Sequence, residues 1–131
     1  MNATILVVDD NPTNLKLVSD VLEFEGYDIL KAVDAEQAQV VLADTIPDLI
    51  LMDIALPGMD GLTLTRKLKA DERTRYIRIA ALTAFAMKGD EQKARDAGCD
   101  GYITKPIDTR KLPEQVAEIL QCTANPKTKE T

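Results

Sequence analysis

The chain has 131 residues, 45% of them apolar, with a formal net charge of −6 and an isoelectric point of about 4.6. That length fits one domain with its own core, and an acidic balance with nothing basic concentrated enough to track nucleic-acid phosphates or an anionic membrane argues against direct binding to either. No apolar run approaches the ~20 residues of a membrane span, the start Met1-Asn2-Ala3-Thr4 has neither a basic n-region nor an apolar signal core, and without a single His the chain holds no Ser-His-Asp site, His-based zinc site or phosphohistidine of its own.

Short β-rich runs alternate with longer helical ones, five times over. Thr4–Val8 is the first predicted strand, and Asp9-Asp10 follow it directly. Leu15, Val18, Val21 and Leu22 then form a helical stripe that ends at Gly26, where a helix-closing glycine belongs. Tyr27–Ala32 is the second strand, and Asp34 is the N-cap candidate for a helix over Ala35–Leu42. Leu49–Met52 is the third, apolar throughout; it delivers Asp53 and soon breaks into Pro57 and Gly58. A helix over Leu62–Leu68 follows, then a strand over Ile79–Leu82 ending in Thr83. Lys88–Ala97 is the fourth helix, closed by Gly98. The fifth strand, Gly101–Ile103, leads through Thr104 to Lys105-Pro106. Lys111–Leu120 is the last helix, with Asp108 or Thr109 as its cap and Pro113 tolerated in its first turn.

Thr123–Thr131 has no apolar residue beyond Ala124. We therefore expect a domain over residues 1–122 and a flexible tail, or the start of a linker, over 123–131. Cys99 and Cys122 form no motif and read as reduced thiols of a cytoplasmic protein.

Strands alternating with helices imply right-handed crossovers and a parallel sheet. The expected fold is α/β: a single doubly wound, five-stranded parallel sheet of flavodoxin-like (βα)5 type, strand order 2-1-3-4-5. Ligands of such sheets bind beyond the carboxyl ends of the strands, where the order reverses. The first and third strands are neighbours in that order, so Asp9, Asp10 and Asp53 should converge, with Thr83 and Lys105 flanking them. Singly, an Asp or Thr after a strand is a turn or capping residue and a Lys is ordinary surface. Together, polar groups stand at four of five strand ends on one edge. Three crowded carboxylates either hold a proton or recruit a cation, and an all-oxygen donor set suits Mg²⁺ or Mn²⁺. A metal beside a carboxylate and a Lys can neutralise a phosphoryl group while a carboxylate oxygen attacks it in line.

The segments "ILVVDDNPTN", "PDLILMDIALPGMDG", "AALTAFAMKGD" and "AGCDGYITKPI", in this order and spacing, resemble the receiver domain of two-component response regulators over about residues 4–121. The resemblance carries the same strand order. It also implies roles. Asp53 would be the phospho-acceptor, supplied by a phosphohistidine on a sensor histidine kinase or a histidine phosphotransfer protein. Asp9 and Asp10 would hold Mg²⁺ (or Mn²⁺) together with Asp53 and the backbone carbonyl of Ala55. Lys105 would pair with the acceptor and then with the phosphoryl group, aimed by the peptide bond to Pro106. Thr83 would be the switch hydroxyl and Tyr102 the switch aromatic.

Phosphorylation adds charge and acceptor oxygens at Asp53. Thr83 would move toward them, Tyr102 would turn inward, and the face of the fourth helix, fifth strand and fifth helix would change for a downstream protein partner. Positions two beyond the acceptor and two beyond the switch Thr tune water access to the aspartyl phosphate in this family. Here they are Ala55 and Phe85, which implies slow self-dephosphorylation and no other catalysis.

"TAFAMKGDE" and "NPTNLKL" further resemble stand-alone receivers of the cell-cycle, DivK-like type. A start three residues before the first strand argues for an N-terminal receiver, so the expectation is a single-domain regulator, a monomer or weak homodimer; the alternative is a receiver cut from a longer regulator with an effector domain. Rival readings fit less well. A haloacid-dehalogenase-type phosphatase carries its nucleophile in an Asp-x-Asp pattern after the first strand, whereas Asp9-Asp10 are adjacent here. A flavodoxin-like cofactor module needs a Ser/Thr/Gly-rich phosphate loop where "DDNPTN" presents acid. A degenerate scaffold would not keep the acid pair, acceptor, Thr and Lys together.

Overall fold

The computed structural model describes residues 3–54, 58, 61–83, 88–104 and 107–121. Five strands and five helices alternate: β1 (Thr4–Val8), α1 (Pro12–Phe24), β2 (Asp28–Ala32), α2 (Ala35–Asp44), β3 (Leu49–Asp53), α3 (Gly61–Ala70), β4 (Arg78–Thr83), α4 (Lys88–Ala97), β5 (Gly101–Thr104) and α5 (Leu112–Gln121). The strands pair in parallel in the order β2-β1-β3-β4-β5. The expected α/β fold is therefore the observed one. The chain winds outward from β1 to β2, then returns to β3 on the other side of β1, so the order reverses between β1 and β3.

Alternation along each strand assigns its residues to one face or the other. Ile5, Val7, Leu49, Leu51, Ala80, Leu82 and Ile103 pack against Leu15, Val18 and Leu22 of α1 and Leu112, Val116 and Ile119 of α5. Leu6, Val8, Ile50, Met52 and Ile79 pack against Ala35, Ala38 and Leu42 of α2 and Leu64 and Leu68 of α3. Helix α4 lies beside α3, burying Ala94 and Ala97. With both faces covered, β1 and β3 read as continuous apolar runs. That is why they are the easiest strands to find in the sequence.

Local signals set the helix ends. Asp34 caps α2 through Oδ1, which accepts the Gln37 N–H at 2.8 Å, while Gln37 Oε1 accepts the Val33 N–H at 2.8 Å. Gly26 and Gly98 take φ of +100° and +106°, and each ends its helix in the same way. The Gly26 and Tyr27 N–H groups return to the Glu23 and Leu22 carbonyls; those of Gly98 and Cys99 return to Arg95 and Ala94. At α5, Asp108 takes the capping part: its Oδ1 accepts the Arg110 N–H at 2.9 Å and its carbonyl accepts the Leu112 N–H at 2.9 Å. Strands β3, β4 and β5 run further than their apolar cores suggested, taking in Asp53, Thr83 and Thr104 at their carboxyl ends. These polar residues keep the backbone pairing of the ladder, which apolar patterning alone does not report. No described helix is long and apolar enough to cross a membrane.

Candidate functional site

Register builds the site. Val8 pairs with Met52 in the β1–β3 ladder, so the next residues, Asp9 and Asp53, end neighbouring strands side by side. By alternation both are in step with Ile5, Val7, Leu49 and Leu51, on the α1/α5 face. Asp9 is fully buried and Asp53 is 3% exposed, whereas Asp10 is exposed. Carboxylate oxygens of the three lie within 4.8 Å of one another. For the buried pair alone, like charges at that separation repel by on the order of 3 kcal/mol at an effective dielectric constant of about 20. A set of three oxygen donors, two buried and one open to solvent, fits a hard divalent cation arriving from outside and keeping part of its water shell.

The surrounding backbone fixes these side chains. The Asp9 N–H donates to the Ala32 carbonyl at 3.1 Å, and Asp9 Oδ1 accepts the Asn11 N–H at 2.9 Å. Asn11 then caps α1: its Oδ1 accepts from the Thr13 and Asn14 N–H groups at 2.9 and 3.2 Å, with Pro12 at the first helical position. Turn and cap thus lock the Asp9 carboxylate while starting the next helix. On the other side, Gly61 opens α3 against the end of β3. A Cβ there would overlap the Asp53 carbonyl oxygen and come within 2.9 Å of the Ile54 Cα. Only glycine lets α3 begin so close, which brings the positive end of its dipole to the acidic edge. Thr65 secures that first turn by donating from Oγ1 to the Gly61 carbonyl at 2.8 Å.

Thr83 and Tyr102 lie on the other face. Leu82 pairs with Asp53 and Ile103 and, like Ala80, belongs to the α1/α5 cluster. Alternation therefore puts Thr83, Ala81, Tyr102 and Thr104 on the face shared with α3 and α4. Thr83 is 1% exposed, one residue beyond the partner of Asp53. Half-buried Tyr102 borders a cavity of about 40 Å³ between α4 and β5, lined also by Ala94, Arg95, Cys99, Asp100 and Gly101.

The structure thus brings Asp9, Asp10 and Asp53 together, with Thr83 at the same edge and Tyr102 behind it. Lys105, Pro106, Ala55, Phe85 and Cys122 lie outside the described residues. Sequence reasoning missed Asn11 and Gly61. The dipeptide Asn11-Pro12 carried the usual cap signature; the second glycine of "PGMDG" is explained only by the Asp53 carbonyl it meets.

Comparison with known proteins follows the same lines. The family described as "Response regulator receiver domain" matches residues 5–117. The chain is 42% identical over 120 residues to the polar-differentiation response regulator DivK of Brucella ovis, covering 92% of this chain and 98% of that one. Among solved structures, a putative response regulator from Chloroflexus aurantiacus is 30% identical with a TM-score of 0.88, over 93% of this chain and all (100%) of that one. The receiver domain of a sensor histidine kinase from Pseudomonas aeruginosa, described with a magnesium ion coordinated in its active-site cleft, is 34% identical with a TM-score of 0.84, over 93% and 100% of the two chains. Strand order, an acidic edge where that order reverses, and relatives matched over nearly their whole length agree: this chain belongs to the response regulator receiver domain family of two-component signalling and is DivK-like.

Proposed function

We propose that the protein accepts a phosphoryl group on Asp53 from a phosphohistidine of a partner, a sensor histidine kinase or a histidine phosphotransfer protein. The carrying observation is the convergence of Asp9, Asp10 and Asp53 within 4.8 Å where β1 adjoins β3. An Asp53 carboxylate oxygen forms the new O–P bond as the P–N bond breaks, and the electron pair returns to the partner's imidazole nitrogen. The chain contains no His, so the donor comes from another protein. A Mg²⁺ (or Mn²⁺) ion held by Asp9, Asp10, Asp53 and the Ala55 carbonyl would offset the charge of the transferring group; the description of the Pseudomonas aeruginosa relative supports this ion.

The Asn11 N–H and the β1–β2 backbone bond hold Asp9 in place beside Asp53. Lys105 pairs with the new phosphoryl oxygens and the Thr83 hydroxyl donates to one of them. Tyr102 then turns toward the space Thr83 leaves, changing the α4–β5–α5 face that a downstream protein reads. The match to 98% of a DivK relative supports a single-domain regulator acting by binding other proteins. The test is wild type against Asp53→Asn with Mg²⁺ and beryllofluoride, followed by tyrosine fluorescence: a saturable change in wild type only is expected, and an equal change in Asp53→Asn would overturn the assignment. The same protein should lose phosphate slowly, and Ala55→Asn/Phe85→Glu should lose it faster; unchanged or slower loss would remove that part of the reading.

A further inference from the structure

Residues 66–78, "RKLKADERTRYIR", carry six basic side chains and two acidic ones. The rest of the chain carries ten basic and twenty acidic. The segment spans the end of α3 and the connection to β4, so it lies at the amino edge of the sheet, a strand length of roughly 17 Å from the acidic site. Its two acids, Asp71 and Glu72, are exposed as most of its cations are, but they are outnumbered three to one. Asp71 Oδ1 accepts the Arg73 N–H at 2.9 Å, and nearby Asp100 is taken by Lys69 at 3.0 Å. Arg66, Lys67, Arg73 and Arg75 are exposed. Lys67 and Arg73 face a groove of about 270 Å³ between the ends of α2 and α3, lined also by Gln39, Leu42, Asp71 and Thr74. Beside it Tyr76 is 57% exposed, with the Arg75 guanidinium 4.9 Å from its ring centre.

The edge is also pre-ordered. Thr74 Oγ1 donates to the Leu68 carbonyl at 2.6 Å, Arg73 Nη2 to the Ala43 carbonyl at 3.1 Å, and the Thr74 and Arg75 N–H groups to the Asp71 carbonyl at 3.1 and 2.9 Å. Helix dipoles account for part of the charge, because cations belong at the ends of α2 and α3. They do not account for Arg75 or for a tyrosine left in water beneath it.

We propose that this groove and the α3–β4 connection dock an acidic polypeptide segment of a partner protein. Charge complementarity selects the class: a local excess of four positive charges on a chain of net charge −6 attracts an anion of matching size. A polypeptide can follow one short edge. A nucleic-acid duplex or a bilayer spreads its charge over a wider area and would meet the acidic remainder of the molecule. Because the edge is distant from Asp53, the contact would form in either phosphorylation state and could bring the receiver to its kinase or reader before transfer.

The experiment measures binding of poly-L-glutamate, a single-stranded DNA oligonucleotide and phosphatidylserine vesicles to the whole protein at low and moderate salt. Poly-L-glutamate should bind saturably and weaken with salt. Lys67→Glu/Arg75→Glu should weaken it by about tenfold or more, and the milder Lys67→Gln/Arg75→Gln by about threefold. Lys31→Glu, a charge reversal on edge strand β2, should bind as wild type does. No saturable binding of poly-L-glutamate, an equal loss from Lys31→Glu, or tighter binding of the oligonucleotide or the vesicles would overturn the proposal.

Discussion

The two edges of the sheet treat aspartate in opposite ways. At the amino edge two carboxylates meet donors: Asp48 Oδ2 accepts the Thr4 N–H at 2.8 Å, and Asp100 Oδ2 accepts the Ile79 N–H at 2.9 Å and Lys69 Nζ at 3.0 Å. At the carboxyl edge Asp9, Asp10 and Asp53 crowd one another within 4.8 Å. Burial does not separate the two kinds, since each edge has an exposed acid, Asp48 or Asp10, beside a more buried one, Asp100 or Asp9. The sign of the neighbours does. Donors around an acid hold the fold together; acids crowded on one another, even where one also accepts a backbone N–H as Asp9 does, lower stability and suit a cation.

The largest test of that contrast is Asp100→Ala. Lys69 Nζ also donates to the Ile77 and Arg75 carbonyls at 2.8 and 3.3 Å, so Asp100 completes a knot joining α3, the α3–β4 connection and the start of β5. Both side chains are below one-fifth exposed, so removing the acid leaves a largely desolvated ammonium and an unmet Ile79 N–H. We expect a loss of about 3 kcal/mol in urea unfolding. A loss under about 1 kcal/mol would mean that the amino edge is not held by its carboxylates.

That knot was not legible in the sequence, and the acidic site was. Asp9 and Asp53 each follow an apolar run directly, with Asp10 next to the first, and the parallel order places strand ends together without any knowledge of side chains. Lys69 and Asp100 are separated by thirty-one positions and meet only because α3 packs beside α4. Strand cores were readable for the same reason as the site: apolar runs covered on both faces have one interpretation. Their polar last residues, Asp53, Thr83 and Thr104, were not, because the ladder continues through them on backbone hydrogen bonds. Gly61 shows the limit from another side. Its glycine is set by the Asp53 carbonyl, a contact that no local pattern announces.

The next test stays at the amino edge and uses pH. Cys99 precedes Asp100, and burial, the largest influence, pushes its thiol from 9.0 up to about 11; the nearby Asp100 charge adds to this, while a Thr65 hydrogen bond and Lys69 oppose it. Below pH 9 folded and unfolded chains both keep this proton, so it makes no difference to stability. Between pH 9 and 11 the unfolded chain loses it first, and stability falls as pH rises. Lysines and tyrosines titrate in the same range, so the informative quantity is wild type minus Cys99→Ala. It should fall by about 2 kcal/mol across that window, and a flat difference would show that the thiol is already solvated in the fold.

The smallest expected effect is the one that bears most directly on the acidic edge. Asp10 is the exposed member of the three, so Asp10→Asn removes one repelling charge while keeping an oxygen and leaving the buried pair in place. With chelator present the variant should be more stable than wild type by about 0.5 kcal/mol, a rise in melting temperature of roughly 2 °C. Adding Mg²⁺ should reverse the ranking. An ion that binds only the folded state stabilises it in proportion to RT ln(1 + [ion]/Kd), and wild type, with the fuller negative charge, gains more. A substitution at the amino edge should show no such crossing, because among the described residues no three acids cluster there. Two melting curves per protein therefore decide the matter. If Asp10→Asn is the less stable protein in chelator, the three carboxylates do not strain one another, and the contrast between the edges is one of position rather than of charge.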